Sequence, residues 1–217
     1  MKTVLTTLAI ASTLSLITAA NAEIVLMEDF NSGIPMSWSV ADDVPTGPSW
    51  GINGGPNNET GNYTGGTGTA ASVSSDKFGT ADFDTSLVTP TFSLVGFVDA
   101  TLDYLVNYQN FAFLDFLDVD ISTDMGANWI NLLSWNEDHG GFGAAPGEAV
   151  SLDLSGYLGA DTLNIRWRYY DPNTFDFDWY AQVDDVVIEG TRIAVSEPAS
   201  LALFGLPLFA FYRRSRR

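Results

Sequence analysis

The chain has few residues that are suited to catalysis. Among its 217 residues there is one histidine, His139, and no cysteine. His139 lies in the glycine-rich run Asp138-His139-Gly140-Gly141, and neither a Gly-x-Ser-x-Gly nor a His-Glu-x-x-His motif is present. A Ser-His-Asp triad would depend on this one histidine, and a lone loop histidine is more often a bystander. We therefore expect a protein that is not an enzyme.

Aromatic residues are better candidates for ligand contact. Two loop segments place aromatic rings next to carboxylates and amides, and such groups bind sugars by stacking and by hydrogen bonds to hydroxyls. The predicted ligand-binding residues are Trp135, His139, Phe142, Tyr170, Phe175 and Trp179. The alternative is that these rings only cover one end of a β-sandwich.

Charge narrows the choice of partners. Segment 23–195 holds 26 of the 27 acidic residues, against Lys77, Arg166, Arg168 and Arg192, which gives a net charge of −22. A surface this acidic repels nucleic acid and anionic membranes and attracts divalent cations. Without cysteine, an exported chain has no disulfides and depends on its core, with a bound metal as a further source of stability.

One acidic residue near the C-terminus is of particular interest. If Val186 and Ile188 face the core, strand alternation places Asp184 on the same face, where an unpaired carboxylate is costly. A cation is then a candidate partner. Val183 and Val187 lie on the opposite face of the same strand and leave this orientation open.

The elements that would position these residues are β-strands. Leu102, Tyr104, Val106 and Tyr108 alternate with polar residues, and 163–169 follows the same pattern. Such alternation predicts half-buried antiparallel strands. Further strands are expected at 24–27, 50–52, 69–73, 116–122, 129–134, 149–154 and 181–189. Many short strands separated by Gly, Asn, Asp and Pro predict an all-β, two-sheet antiparallel sandwich or jelly roll.

The segment from Asn53 to Ser72 is rich in Gly, Asn and Thr. Because these residues bury little apolar surface, we expect a long flexible surface loop.

Both ends of the chain are expected to lie outside the domain. Residues 1–22 have Lys2, an apolar run and Ala20-Asn21-Ala22, which fits a signal peptidase site after Ala22. At the other end, Ser196-Glu197-Pro198 precedes fourteen apolar residues and four terminal arginines, which include Arg213 and Arg214. Fourteen residues of helix reach about 21 Å, less than the ~30 Å hydrocarbon core, so a transient anchor is favoured. The arginines should stay on the cytoplasmic side.

This C-terminal order resembles the PEP-CTERM sorting signal. The resemblance implies recognition and cleavage near Glu197 and Pro198 by an exosortase-type enzyme of a Gram-negative bacterium. It divides the chain into a signal peptide (1–22), a β-sandwich domain (23–195) and a sorting tail (196–217). It also implies an inner-membrane intermediate and then the cell surface or extracellular matrix. An ordinary C-terminal membrane anchor is the alternative.

The domain has a resemblance of its own. Four short segments look like the MAM-like jelly rolls, which include the choice-of-anchor J and cleaved-adhesin domains. They are Glu28-Asp29-Phe30-Asn31 leading to Trp38, Leu87-Val88-Thr89-Pro90, the strand from 163 to 170 and Val183-Asp184-Asp185-Val186. That resemblance implies Ca²⁺ between the first loop and the last strand. The matching positions are Asn31, Asp42 or Asp43, and Asp184 or Asp185.

Together, these observations predict an exported, sorted surface protein whose sandwich binds polysaccharide. A structural envelope or matrix protein without a specific ligand is the second hypothesis. A polysaccharide hydrolase is the third, because a catalytic carboxylate pair can be neither excluded nor selected among so many acids.

Overall fold

The computed structural model describes residues 20–172 and 178–193. Within them the chain forms eleven strands, one helical turn α1 (Ser75–Phe78) and a short 3-10 turn (Ser155–Tyr157). The strands are β1 (Ala20–Glu28), β2 (Ser39–Asp42), β3 (Gly51–Ile52), β4 (Ala71–Ser74), β5 (Phe83–Val88), β6 (Phe97–Gln109), β7 (Phe116–Ser122), β8 (Ile130–Trp135), β9 (Glu148–Asp153), β10 (Asn164–Asp171) and β11 (Tyr180–Ile193).

The strands form two sheets. The six-stranded sheet has the order β3-β4-β11-β6-β9, and β1 also pairs with β11. The five-stranded sheet has the order β2-β5-β10-β7-β8. The pairings of β10 with β5 and β7, and of β11 with β4 and β6, are all antiparallel. The predicted all-β sandwich of two antiparallel sheets is therefore confirmed.

Aromatic residues join the two sheets across the core. Trp167 of β10 is fully buried and contacts Tyr104 of β6, with ring centroids 5.3 Å apart. Tyr169 meets Tyr108 at 6.1 Å, and Trp38 stacks on Trp167. The alternation of β6 and β10 thus has the predicted sense, with apolar side chains between the sheets and Arg166 and Arg168 outside.

Strand β5 was not expected from the sequence, because its inward residues include a threonine. Thr85 is fully buried, its Oγ1 donates a hydrogen bond to Asp42 Oδ1 at 2.5 Å, and its carbonyl accepts one from Trp50 Nε1 at 3.3 Å. These partners satisfy the hydroxyl and the carbonyl, so a polar residue is accommodated at a core position.

A β-bulge changes the predicted orientation of Asp184. The register of β11 against β6 shifts between Asp184 and Val187, and Asp185 has a φ of 47°. The extra residue lets both Val183 and Val186 face the core. Asp184 is therefore on the outer side of the sheet and does not share the core face with Val186 and Ile188, which answers the orientation that the sequence left open.

The segment between β3 and β4, which we call the covering loop (53–70), lies against this outer side. Tyr63 N donates to Gln182 Oε1 at 2.7 Å, and Gln182 Nε2 donates to the carbonyl of Gly61 at 2.8 Å. Asn107 Nδ2 donates to the carbonyl of Tyr63 at 3.1 Å. Thr64 is 1% exposed. The expectation of a loop that buries little is wrong, because buried amides of β6 and β11 bind its backbone.

The compact unit that contains both sheets spans Ala22–Arg192. The predicted sorting tail and almost all of the predicted signal peptide lie outside the described residues. Within the described part of the chain, no helix is long and apolar enough to cross a membrane.

Candidate functional site

Three aromatic side chains form what we call the aromatic patch: Phe111, Phe142 and Trp179, and a further phenylalanine, Phe113, lies in the same loop as Phe111. They come from three segments, which are the β6–β7 loop, the β8–β9 loop and the residues before β11. The ring of Trp179 meets that of Phe142 at 4.8 Å and that of Phe111 at 5.9 Å, both edge to face. Phe113 is 69% exposed and Phe142 60%. An exposed aromatic cluster of this kind is typical of a binding surface.

Hydrogen bonds fix the β8–β9 loop over the ends of β6 and β11. His139 N donates to the carbonyl of Tyr108 at 2.8 Å, and Tyr108 N donates to that of His139 at 2.9 Å. Gly143 N donates to the hydroxyl of Tyr180 at 2.8 Å. The loop crosses from the five-stranded to the six-stranded sheet, and these contacts bring Phe142 to the segment before β11.

A buried carboxylate fixes the β6–β7 loop. Asp115 Oδ1 accepts hydrogen bonds from Phe111 N at 2.9 Å and from Asn110 Nδ2 at 2.8 Å. The carbonyl of Asp115 accepts one from the Tyr108 hydroxyl at 2.9 Å. Burial raises the pKa of Asp115 to about 6, and the hydrogen bond from Phe111 N opposes that rise. Burial also raises the pKa of Tyr108, and the nearby carboxylate of Asp115 adds to that rise.

The predicted ligand-binding residues fall into separate groups. Phe142 and Trp179 lie together in the aromatic patch. Trp135 stacks on His139 at 3.5 Å and 13°, so one face of each ring is covered. Tyr170 lies outside the five-stranded sheet between Phe116 and the guanidinium of Arg168.

The Tyr170 ring is therefore engaged by two side chains of the sheet and lies outside the aromatic patch. Phe175 lies outside the described residues.

The sequence analysis missed Phe111 and Phe113. A signal was present, because two phenylalanines separated by one residue follow Gln109-Asn110 at the end of a strand. Nothing in the local sequence distinguishes a tight turn from a continued strand at these two residues.

His139 has structural contacts. Its Nδ1 lies 3.0 Å from Glu148 Oε2 on β9, and its ring packs on Trp135. Glu148 Oε1 also accepts a hydrogen bond from Gly140 N at 3.2 Å. These contacts hold the β8–β9 loop to the edge strand.

The predicted metal residues are partly brought together beneath the covering loop. Asp184 Oδ2 accepts a hydrogen bond from Asn62 Nδ2 at 2.7 Å, and its Oδ1 accepts one from Asp185 N at 2.8 Å. Asn31 Oδ1 accepts one from Thr69 N at 3.1 Å. Asp184 is fully buried, and this burial raises its pKa to about 6.

Two glycines of the covering loop make room for these oxygens, and we call the group of Asn31, Asp184 and Asp185 beneath this loop the cradle. A Cβ on Gly66 would overlap Asp184 Oδ2, and a Cβ on Gly68 would overlap Asn31 Oδ1. Carboxylate, amide and carbonyl oxygens are the ligands that Ca²⁺ takes, so the donor set fits this ion. Among the described residues, no group of three His, Cys, Asp or Glu side chains could hold a metal. A cation here would therefore need Asn31 and backbone or water oxygens as well.

Asp42 and Asp43 lie elsewhere in the sandwich. Asp42 ends β2 in the five-stranded sheet and accepts hydrogen bonds from Thr85 and from Ser49. Asp43 N donates to the carbonyl of Asp84. Asp185 also lines a cavity of about 390 Å³, together with Met27, Glu28, Asp29 and Val187.

Comparison with known proteins shows the fold. No family model and no curated protein matches the chain. The K3 cleaved adhesin domain of Lys-gingipain from Porphyromonas gingivalis is 25% identical with a TM-score of 0.58, over 78% of this chain and 99% of that one. The K1 domain of the same protein is 23% identical with a TM-score of 0.54, over 76% and 96%. A carbohydrate-binding module specific for non-crystalline cellulose aligns more weakly, with a TM-score of 0.45 and 16% identity over 77% and 95%.

Proposed function

We propose that the protein is an exported adhesion protein of the cell surface or extracellular matrix, whose sandwich binds carbohydrate through the aromatic patch. The observation that carries this proposal is that two exposed rings from separate loops, Phe111 and Phe142, meet at the half-buried ring of Trp179. Burying these rings in the core would have stabilised the fold, so exposing them suggests a partner. The likeness to an adhesin domain that is 25% identical supports the same class.

The acidic surface narrows the class of carbohydrate. With 27 acidic residues against nine basic ones, the chain repels polyanions such as uronate-rich polymers. Stacking on Phe142 and Trp179 requires no charge on the sugar. The proposed ligand is therefore a neutral polysaccharide. A structural matrix protein without a ligand remains the alternative, because Trp135 and Tyr170 are each covered by a neighbouring side chain.

Affinity electrophoresis tests the proposal. The wild-type protein and the Phe142→Ala variant are run in gels that contain hydroxyethylcellulose, galactomannan or dextran. We expect retardation of the wild-type protein in at least one gel, and less retardation of the variant. Tyr170→Ala is the matched control, because it removes an aromatic ring that lies outside the aromatic patch and is stacked on Phe116. If the wild-type protein migrates equally fast in a gel without polysaccharide and in each gel that contains one, the carbohydrate proposal fails. The structural matrix protein without a ligand is then favoured.

A calcium ion is the cofactor we propose for the cradle beneath the covering loop. Asn31, Asp184 and Asp185 would supply side-chain oxygens. The ion would offset the charge of the buried Asp184 carboxylate and tie β11 to the first loop. Its role would be structural, because the cradle is lined by the covering loop and not by the aromatic patch.

For localisation we propose processing at both ends of the chain. Signal peptidase would cleave after Ala22, and an exosortase-type enzyme would act near Glu197 and Pro198 while the apolar segment and Arg213 and Arg214 hold the chain in the membrane. This proposal rests on the order of motifs in the sequence. It places the sandwich outside the cytoplasm, as surface adhesion requires.

A further inference from the structure

The turn that carries Phe113 has an unusual backbone. The carbonyl of Phe111 accepts a hydrogen bond from Leu114 N at 3.1 Å, which defines a four-residue turn with Ala112 and Phe113 at its centre. Ala112 has a φ of 55° and Phe113 a φ of 64°. Turns with positive φ at both central residues are dominated by glycine, asparagine and aspartate. A bulky aromatic residue is among the least suited to that conformation.

The surrounding contacts hold this turn in place. Phe113 N donates to Asn110 Oδ1 at 2.5 Å, and Asn110 Nδ2 donates to the Asp115 carbonyl at 2.7 Å. Asn110 N donates to Asp138 Oδ1 at 2.8 Å, which ties the turn to the β8–β9 loop. An unfavourable backbone conformation persists only when its surroundings impose it, and such residues cluster at ligand-binding sites.

Packing does not explain why the residue is phenylalanine. The side chain of Phe113 is 69% exposed, so it contributes little to the core. Its neighbour Phe111 contacts Trp179 of the aromatic patch. The chain therefore keeps a large apolar ring at a strained, exposed position in the loop that also carries Phe111, where asparagine would fit the backbone better.

We propose that Phe113 is a ligand-contacting residue of the carbohydrate site, held out by the strained turn so that its ring stacks on a sugar of the bound chain. The inference rests on the proposed function. It adds a second ring of the β6–β7 loop to the binding surface formed by the aromatic patch. More rings in the site would suit an extended neutral polysaccharide, which offers several sugar units for stacking.

A pair of matched variants tests the inference. Phe113→Asn removes the ring and supplies a residue that accepts positive φ. Met125→Asn is the control, because Met125 also has a positive φ, 59°, is 73% exposed and lies in the turn at the other end of β7. Both are made in the full chain. Thermal melts give the melting temperature, and affinity electrophoresis in hydroxyethylcellulose, galactomannan and dextran gives the affinity.

We expect both variants to melt at or above the temperature of the wild-type protein, with a rise of about 2–4 °C where relief of strain is fully realised. In the gel that retards the wild-type protein, Phe113→Asn should bind about three- to tenfold more weakly, as loss of one stacking ring predicts. Met125→Asn should bind like the wild-type protein. This pattern would separate a ring kept for binding from one kept for folding.

Two results would overturn the inference while the proposed function stands. One is a Phe113→Asn variant that binds as tightly as the wild-type protein. The other is a variant whose melting temperature falls by several degrees while that of Met125→Asn does not, because the ring would then be structural. If the wild-type protein is retarded by none of the polysaccharides, the proposed function fails and this inference fails with it.

Discussion

Replacing Asp115 by asparagine should stabilise the protein at neutral pH. The carboxyl group of Asp115 is fully buried, and burial raises its pKa to about 6. An amide of the same shape has no charge to bury. Its oxygen would still accept the hydrogen bonds from Phe111 N and Asn110 Nδ2, and its NH₂ would face the Tyr108 hydroxyl, which lies 3.3 Å from Asp115 Oδ2.

The sign and size follow from proton linkage. Because the pKa in the folded state lies above the value of about 3.9 in the unfolded chain, the folded protein binds the proton more tightly. The stability that this proton contributes is fully present below pH 4 and is lost as the pH rises through 6. A difference of about two pKa units corresponds to about 3 kcal/mol. If the altered hydrogen bonds cost about 1 kcal/mol, Asp115→Asn gains about 2 kcal/mol at pH 7.5.

Urea denaturation followed by tryptophan fluorescence measures the free energy of unfolding of the wild-type protein and of the Asp115→Asn variant from pH 4.5 to 7.5. Asp184 also has a pKa raised to about 6 by burial, so the wild-type curve contains both contributions. Subtracting the free energy of unfolding of Asp115→Asn from that of the wild-type protein at each pH isolates the contribution of Asp115. We expect a difference that grows with pH. A flat difference, together with a variant less stable than the wild-type protein at pH 7.5, would show that the ionised carboxylate is needed as an acceptor, and would refute the reasoning.

Three further predictions concern the cradle and the tail. Gly66→Ala places a Cβ against Asp184 and should lower the free energy of unfolding by about 1–3 kcal/mol in urea, whereas Gly156→Ala, with nothing within 4 Å of the added carbon, should not. Ca²⁺ at a hundredfold excess over its dissociation constant should stabilise the wild-type protein by about 2.7 kcal/mol. A melt unaffected by chelator, or an Asp184→Ala variant with the same calcium response, would argue against the ion. Mass spectrometry of surface protein should find chains that end near Pro198. If most molecules still end at Arg217, the sorting proposal is wrong and an ordinary C-terminal membrane anchor is favoured.

Most of the fold could be predicted because its signals are local. Residues 116–122 were predicted as a strand with the bounds that β7 has, since apolar residues alternate there. The alternation of 163–169 likewise gave the orientation of β10. Strand β5 carries a weaker signal because its buried Thr85 depends on partners in β2 and in the segment before β3. Those partners are distant in sequence.

The candidate site was predicted less well. Two aromatic loops were predicted to contact the ligand, and Phe142 of one and Trp179 of the other do meet. Composition could not tell that Trp135 is covered by His139, or that Tyr170 is covered by Phe116 and Arg168. Which face of a ring is free depends on side chains from neighbouring strands, and the sequence order does not contain that information.

The sequence by itself determined the β class and the acidic composition, because these follow from composition and from residues close together in the chain. The predicted export and sorting signals also rest on local sequence alone. Tertiary structure alone decided the orientation of Asp184 and the exposure of Phe113. A bulge of one residue reverses the side of the sheet on which Asp184 lies, and a turn held by Asn110 and Asp115 turns Phe113 outward. Both depend on hydrogen bonds and strand pairing that form only when the sandwich assembles.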